Sequence, residues 1–180
     1  MRRLLIVLFS TLFAITFSAQ SATADSPHFK KGGSPTCTIT YTGSSASTTC
    51  TATLAGLGNA DVHIVTTVSG FAVYVCQNGG GNTAPGQNKV LEGPASAPTD
   101  IPSSALKNGN LTFTTNPVTL TAASTVSGAA AGCPNPNWTG VSPTLTITNV
   151  QLDISQGGVL LFHCTASDPN GLTGTFALTC

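Results

Sequence analysis

Charge is what this chain has least of. Acidic and basic residues together fill 7% of its 180 positions, six of each sign. No basic stripe exists to attract phosphates, which argues against a nucleic-acid partner. Aromatic residues are also few, with one tryptophan and two tyrosines; a sugar-stacking face would need several rings in a row. The apolar run Leu4–Phe17 has 14 residues, short of the roughly 20 that a membrane-spanning helix needs.

The usual marks of catalysis and metal binding are missing too. There is no G-x-S-x-G elbow to raise a nucleophilic serine and no C-x-x-C pair to hold zinc. The glycines of NGGGN (78–82) lack the Gly-Lys-Ser/Thr that completes a phosphate loop. DPNG (168–171) opens like a calcium loop but has no acids downstream. Six acidic residues, several in turns, leave a glycosidase carboxylate pair unsupported. These absences predict a protein that is not an enzyme and has no cofactor or metal.

What is present begins at the first residues. Arg2 and Arg3 precede the apolar run, and Ala22-Thr-Ala24 forms an A-x-A cleavage signal before Asp25. That is the layout of a signal peptide over residues 1–24. It predicts a secreted, extracellular chain with no membrane span once the signal is removed. Beyond it, Lys30, Lys31, Lys89 and Lys107 face Asp25, Asp61, Glu92, Asp100, Asp153 and Asp168, so 4 − 6 gives a formal −2. Residues 25–35 (DSPHFKKGGSP) mix lysine with Gly/Pro breakers and read as a flexible N-terminal arm. Residues 36–180 suit a single domain, long enough to bury a real core.

All six cysteines, Cys37, Cys50, Cys76, Cys133, Cys164 and Cys180, follow the signal. An even count behind a signal peptide predicts three disulfides in an oxidising compartment. Of fifteen possible connectivities, the preferred one is 37–50, 76–133 and 164–180, because the first and last close hairpin-sized loops.

Strand signals dominate the rest. CTITYT (37–42) and STTCTATL (47–54) alternate apolar residues with threonine around a GSSA turn, the pattern of a hairpin. DVHIVTTV (61–68) and FAVYVCQ (71–77) follow, parted by Ser69-Gly70. KVLE (89–92) reads as a short strand before GPASAPTDIPSS (93–104), whose prolines predict loop. LTFTT (111–115) and VTLTA (118–122) look like edge strands, and 124–140 like a second irregular region. PTLTITNVQLDI (143–154) is the longest alternation; its phase slips at Asn149, predicting a bulge. VLLFHCTA (159–166) and LTGTFALTC (172–180) complete the set. Short turns between strands predict an all-β antiparallel two-sheet sandwich of eight to ten strands, stapled by disulfides. It is similar to immunoglobulin-like domains in outline alone. The Cys…Trp…Cys order of true immunoglobulin domains is missing, because Trp138 lies in a proline-rich loop.

Candidate sites are few. CPNPNWTG (133–140) makes Trp138 the candidate ligand-binding residue, on a loop stiffened by two prolines. The competing reading folds the indole onto the sandwich end, with Cys133 tethering the loop. Asn110-Leu-Thr112 and Asn137-Trp-Thr139 match the glycosylation sequon. Asp61 and His63 share a strand face, and His163 faces water in the next-to-last strand. A metal site from His63, His163 and Asp61 or Asp153 would need distant strands to become neighbours. Threonine fills 26 of the 156 residues from Asp25 on. An ordered hydroxyl array would need a fixed repeat, which the sequence lacks; β-propensity on solvent faces accounts for the Thr-x-Thr runs. The resulting expectation is a secreted, non-catalytic binding or surface-associated module. Its partner would be an extracellular one, a polysaccharide or a cell-surface protein, met by the loops 78–104 and 124–140. A structural coat-type protein and a small hydrolase with an unmarked site are the alternatives.

Overall fold

The computed structural model describes residues 26–180; the expected signal peptide lies outside the described residues. In chain order the strands are β1 (His28–Phe29), β2 (Thr36–Thr42), β3 (Ser45–Ala55), β4 (Val62–Gln77), β5 (Thr83–Pro85) and β6 (Val90–Ile101). Then come β7 (Leu111–Thr114), β8 (Val118–Thr121), β9 (Thr125–Ser127), one helical turn α1 (Gly128–Ala131), β10 (Thr139–Gln156), β11 (Val159–Ser167) and β12 (Gly174–Ala177). They form two antiparallel sheets. Sheet A runs β12–β2–β3, with β7 and β8 on the far edge of β3 and β1 also paired with β3; sheet B runs β11–β10–β4, with β5 and β6 on β4 and β9 on β10.

The alternation read from the sequence decides which side of each strand is buried. Cys37 and Ile39 of β2, Cys50, Ala52 and Leu54 of β3, and Val62, Ile64 and Val68 of β4 all lie in the core, each at 5% exposure or less. They meet Ile147, Val150, Leu152 and Ile154 of β10. Twelve strands replace the expected eight to ten because edge strands are interrupted. β7 and β8 are one edge of β3 with an extra residue between Thr114 and Val118. There Thr115 satisfies Cys50, whose N–H donates to the Thr115 hydroxyl and whose carbonyl accepts from the Thr115 N–H.

Four sequence expectations are corrected. The arm is not free: Lys30 N–H donates to Thr53 O, Thr53 N–H to Gly33 O, and Phe29 stacks on Phe162 with ring centroids 4.5 Å apart. The open edge of β3 offers these segments hydrogen bonds, and apolar Phe29 gains cover. The expected break at Ser69-Gly70 is absent, and β4 is one strand of 16 residues. The proline-rich 93–101 is strand too, paired with β4 as the outer part of β6. Edge position makes this possible. The Pro98 carbonyl points away from β4 to Asn116 Nδ2, 2.8 Å away, so the missing N–H removes nothing from the ladder. The region 124–140, expected to be irregular, contributes β9 and α1.

The expected bulge at Asn149 is present, as a register shift between Ile147 and Asn149. The cysteines join as Cys37–Cys50, Cys76–Cys133 and Cys164–Cys180, the connectivity that loop length favoured. Cys37 and Cys50 face each other directly across β2 and β3.

Candidate functional site

Trp138 is not displayed on an open loop. Ser127 caps the N-terminus of α1 by accepting from Ala130 N–H, and Gly132 ends the turn in the left-handed region at φ 67°. Cys133 then ties the segment to β4, and the Trp138 N–H closes a turn on Asn135 O at 3.0 Å. The indole is partly buried and packs against the core. Of the two sequons, Asn110 is already engaged: its Nδ2 donates to the carbonyls of Lys107 and Asn108. Asn137 is exposed.

The outer face of sheet B holds two of the three imidazoles. His63 on β4 meets Asp100 on β6, Nδ1 to Oδ1 2.5 Å; His163 on β11 meets Asp153 on β10 at 2.6 Å. The two histidines are on the same sheet but not on neighbouring strands, since β10 lies between β11 and β4. Each histidine pairs with its own carboxylate. Gln151 Nε2 takes the second oxygen of Asp153, and Asp61 turns away to accept from Ser103 N–H. Among the described residues no group of three His, Cys, Asp or Glu side chains is placed to hold a metal ion. Asp100 went unnoticed in the sequence because its partner is fixed by the β4–β6 register, through a segment read as loop.

The outer face of sheet A is the most ordered surface. β2 and β3 alternate strictly, so every second residue points to solvent, and nearly all of those are hydroxyl-bearing. Pairing then aligns them in rows: Thr42–Ser45–Thr121, Thr40–Ser47–Thr119, Thr175–Thr38–Thr49, Thr36–Thr51–Thr114 and Thr53–Thr112. Rows lie about 6.8 Å apart along the strands and neighbours about 4.8 Å apart across them, the spacings of any pleated sheet. Four cross-strand hydroxyl pairs are hydrogen-bonded, at 2.8 to 3.2 Å: Thr36–Thr51, Thr38–Thr175, Ser45–Thr121 and Thr53–Thr112. β2, β3, β7, β8 and β12 contain no charged residue. The sequence has no fixed repeat to bring the hydroxyls into register. Antiparallel pairing supplies the register instead.

No family model, curated protein or solved structure matches this chain. Its surface chemistry is therefore the sole guide to function.

Proposed function

We propose that the chain is an exported, non-catalytic module that rests on a hydroxyl-rich extracellular polymer through the outer face of sheet A. The observation that carries this reading is the five-row array of twelve threonines and two serines on strands without a charged residue. Docking a polyhydroxylated surface there exchanges hydroxyl–water bonds for hydroxyl–hydroxyl bonds and buries no ion, so it avoids the desolvation penalty of charged groups. Individual contacts are weak, but an extended polymer makes many at once, which multiplies affinity. Three disulfides, and no membrane-spanning helix among the described residues, are compatible with life outside the cell. Export itself rests on the sequence of residues 1–24.

The test is co-sedimentation of the secreted protein with insoluble polysaccharides, comparing wild type, Thr38→Arg, Thr49→Arg and Trp138→Leu. Each arginine places a charge and bulk in the middle of the array without touching the core. Each is expected to weaken retention about tenfold, roughly 1.4 kcal/mol, with unchanged circular dichroism. Trp138→Leu should keep retention. Binding lost in Trp138→Leu and kept in both arginine variants would return recognition to the 133–138 loop. A wild type retained on no polymer would overturn the reading.

A further inference from the structure

Two of the four lysines among the described residues share one depression at the end of the hydroxyl array. Its volume is about 310 Å³, and Lys30, Thr53, Lys107, Asn110 and Thr112 line it, together with Ala105 and Leu111. Space of that order holds a single small ligand such as one sugar ring. The backbone on both sides is fixed. Lys30 is bound to β3, its N–H donating to Thr53 O, and its carbonyl accepts from Gly33 N–H. Lys107 opens a tight turn in which Lys107 and Asn110 exchange both backbone hydrogen bonds, while Asn108 (φ 53°) and Gly109 (φ 72°) take the left-handed conformations that such a turn requires. Thr53 lines the same depression, and its hydroxyl bonds Thr112 in the last row of the array.

Among the described residues neither lysine has an ion-pair partner, and none of the described acids lines the depression. The acids sit elsewhere: Asp100 and Asp153 face outward from sheet B against their histidines, and Asp61, Glu92 and Asp168 lie on sheet B or the loops between strands. Two cations held about one concavity repel each other weakly in water. An anion between them turns that cost into attraction, and the threonine hydroxyls supply further donors.

We infer that the Lys30–Lys107 depression seats the oxyanion of an acidic sugar unit, so that the polymer lying on the hydroxyl rows is an anionic glycan. The inference rests on the proposed docking of a polymer on sheet A, and it adds the charge and the polarity of that polymer. A carboxylate and a phosphate ester present the same oxyanion chemistry to the site.

The experiment compares polygalacturonate with its methyl ester, which differs in charge and little in shape, using wild type, Lys30→Gln, Lys107→Gln and Lys89→Gln. Lys89 lies over the Phe71 ring of sheet B, 4.1 Å from its centroid, and serves as the remote control. Wild type and Lys89→Gln are expected to prefer the acid form about tenfold at low salt, an advantage that screening removes at high salt. Lys30→Gln and Lys107→Gln should lose the preference while binding the ester as wild type does. In parallel, amide shifts of Thr53 and Lys107 are followed on adding galacturonate or inorganic phosphate, which separates a carboxylate site from a phosphate site. Equal binding of acid and ester, or a preference that persists in both pocket variants, overturns the inference and leaves sheet A as a neutral docking face. Wild type that binds neither polymer overturns the docking reading, and amide shifts with either monomer would then keep the anion site alone. Absence of shifts with both monomers overturns the site.

Discussion

Tyr74 shows how far one side chain can be controlled by its place in the sheet. It points inward from β4, is 1% exposed, and its hydroxyl donates toward Glu92 Oε1 at 3.1 Å and the Ala123 carbonyl at 2.9 Å. Burial, then the hydrogen bond to Glu92 and the charge of Glu92, push its pKa from 10.0 up to about 12. The unfolded chain releases this proton near pH 10, while the native chain keeps it to about pH 12. Between those values the native state binds more protons, so stability falls as pH rises. The contribution is complete below pH 10. Tyr74→Phe has no such proton; denaturant titrations from pH 10 to 12 should show a shallower decline than wild type. At neutral pH the lost hydrogen bond should cost about 1 kcal/mol. Equal slopes in the two proteins would show that Tyr74 does not couple to folding there.

At the level of elements, the two long central strands depend on a residue that reads as a breaker. Gly70 lies in the middle of β4, opposite Ile147 at the bulge of β10. A Cβ there would collide with the Thr146 carbonyl oxygen and come within 2.9 Å of the Ile147 Cα. Backbone cannot swing aside as a side chain does, so glycine is required for close approach rather than for a turn. Gly70→Ala is expected to cost about 3 kcal/mol, the upper end of overpacking effects. Gly79→Ala, in open space at a hairpin tip, should stay within about 0.5 kcal/mol. Equilibrium denaturation of both variants checks the contrast, and a small effect at Gly70 would mean that β4 and β10 can separate at the bulge. β6 makes a related point. Proline reads as loop, yet an edge strand with its carbonyls turned outward accommodates it.

The molecule as a whole is a sandwich whose open sides are sewn shut. On one side Asn116 joins the β7–β8 edge to β6 through Thr99 Oγ1 and Pro98 O. On the other, β9 ends and β11 begins with Ile147 of β10 between them. The Tyr41 hydroxyl accepts from Ile147 N–H and donates to Leu172 O, both at 2.9 Å, and Leu172 N–H returns to Ile147 O. Cys164–Cys180 ties the C-terminus to sheet B just beyond. Removing the Tyr41 hydroxyl strands one donor and one acceptor across the two sheets. Tyr41→Phe should lose about 2 kcal/mol, and the Ile147 amide should exchange faster than amides in the centre of β4. Unchanged exchange at Ile147 would place the inter-sheet link elsewhere. With its sides closed this way, sheet A is free to present its hydroxyl rows outward.

Strand identity, sheet class and disulfide pairing were legible in the sequence because they rest on local rules. A period of two assigns Cys50, Ala52 and Leu54 to the core and Thr49, Thr51 and Thr53 to solvent. Loop length favoured 37–50 and 164–180, and the phase slip at Asn149 marked the bulge. What the sequence could not show was registration. Thr38 meets Thr49 and Thr175, His63 meets Asp100, and Lys30 comes round to Lys107 through backbone pairing between segments that are remote in the chain. Hydroxyl rows, histidine–carboxylate contacts and the depression between the lysines are properties of adjacent strands, and adjacency is decided by the closing of the sandwich around its core.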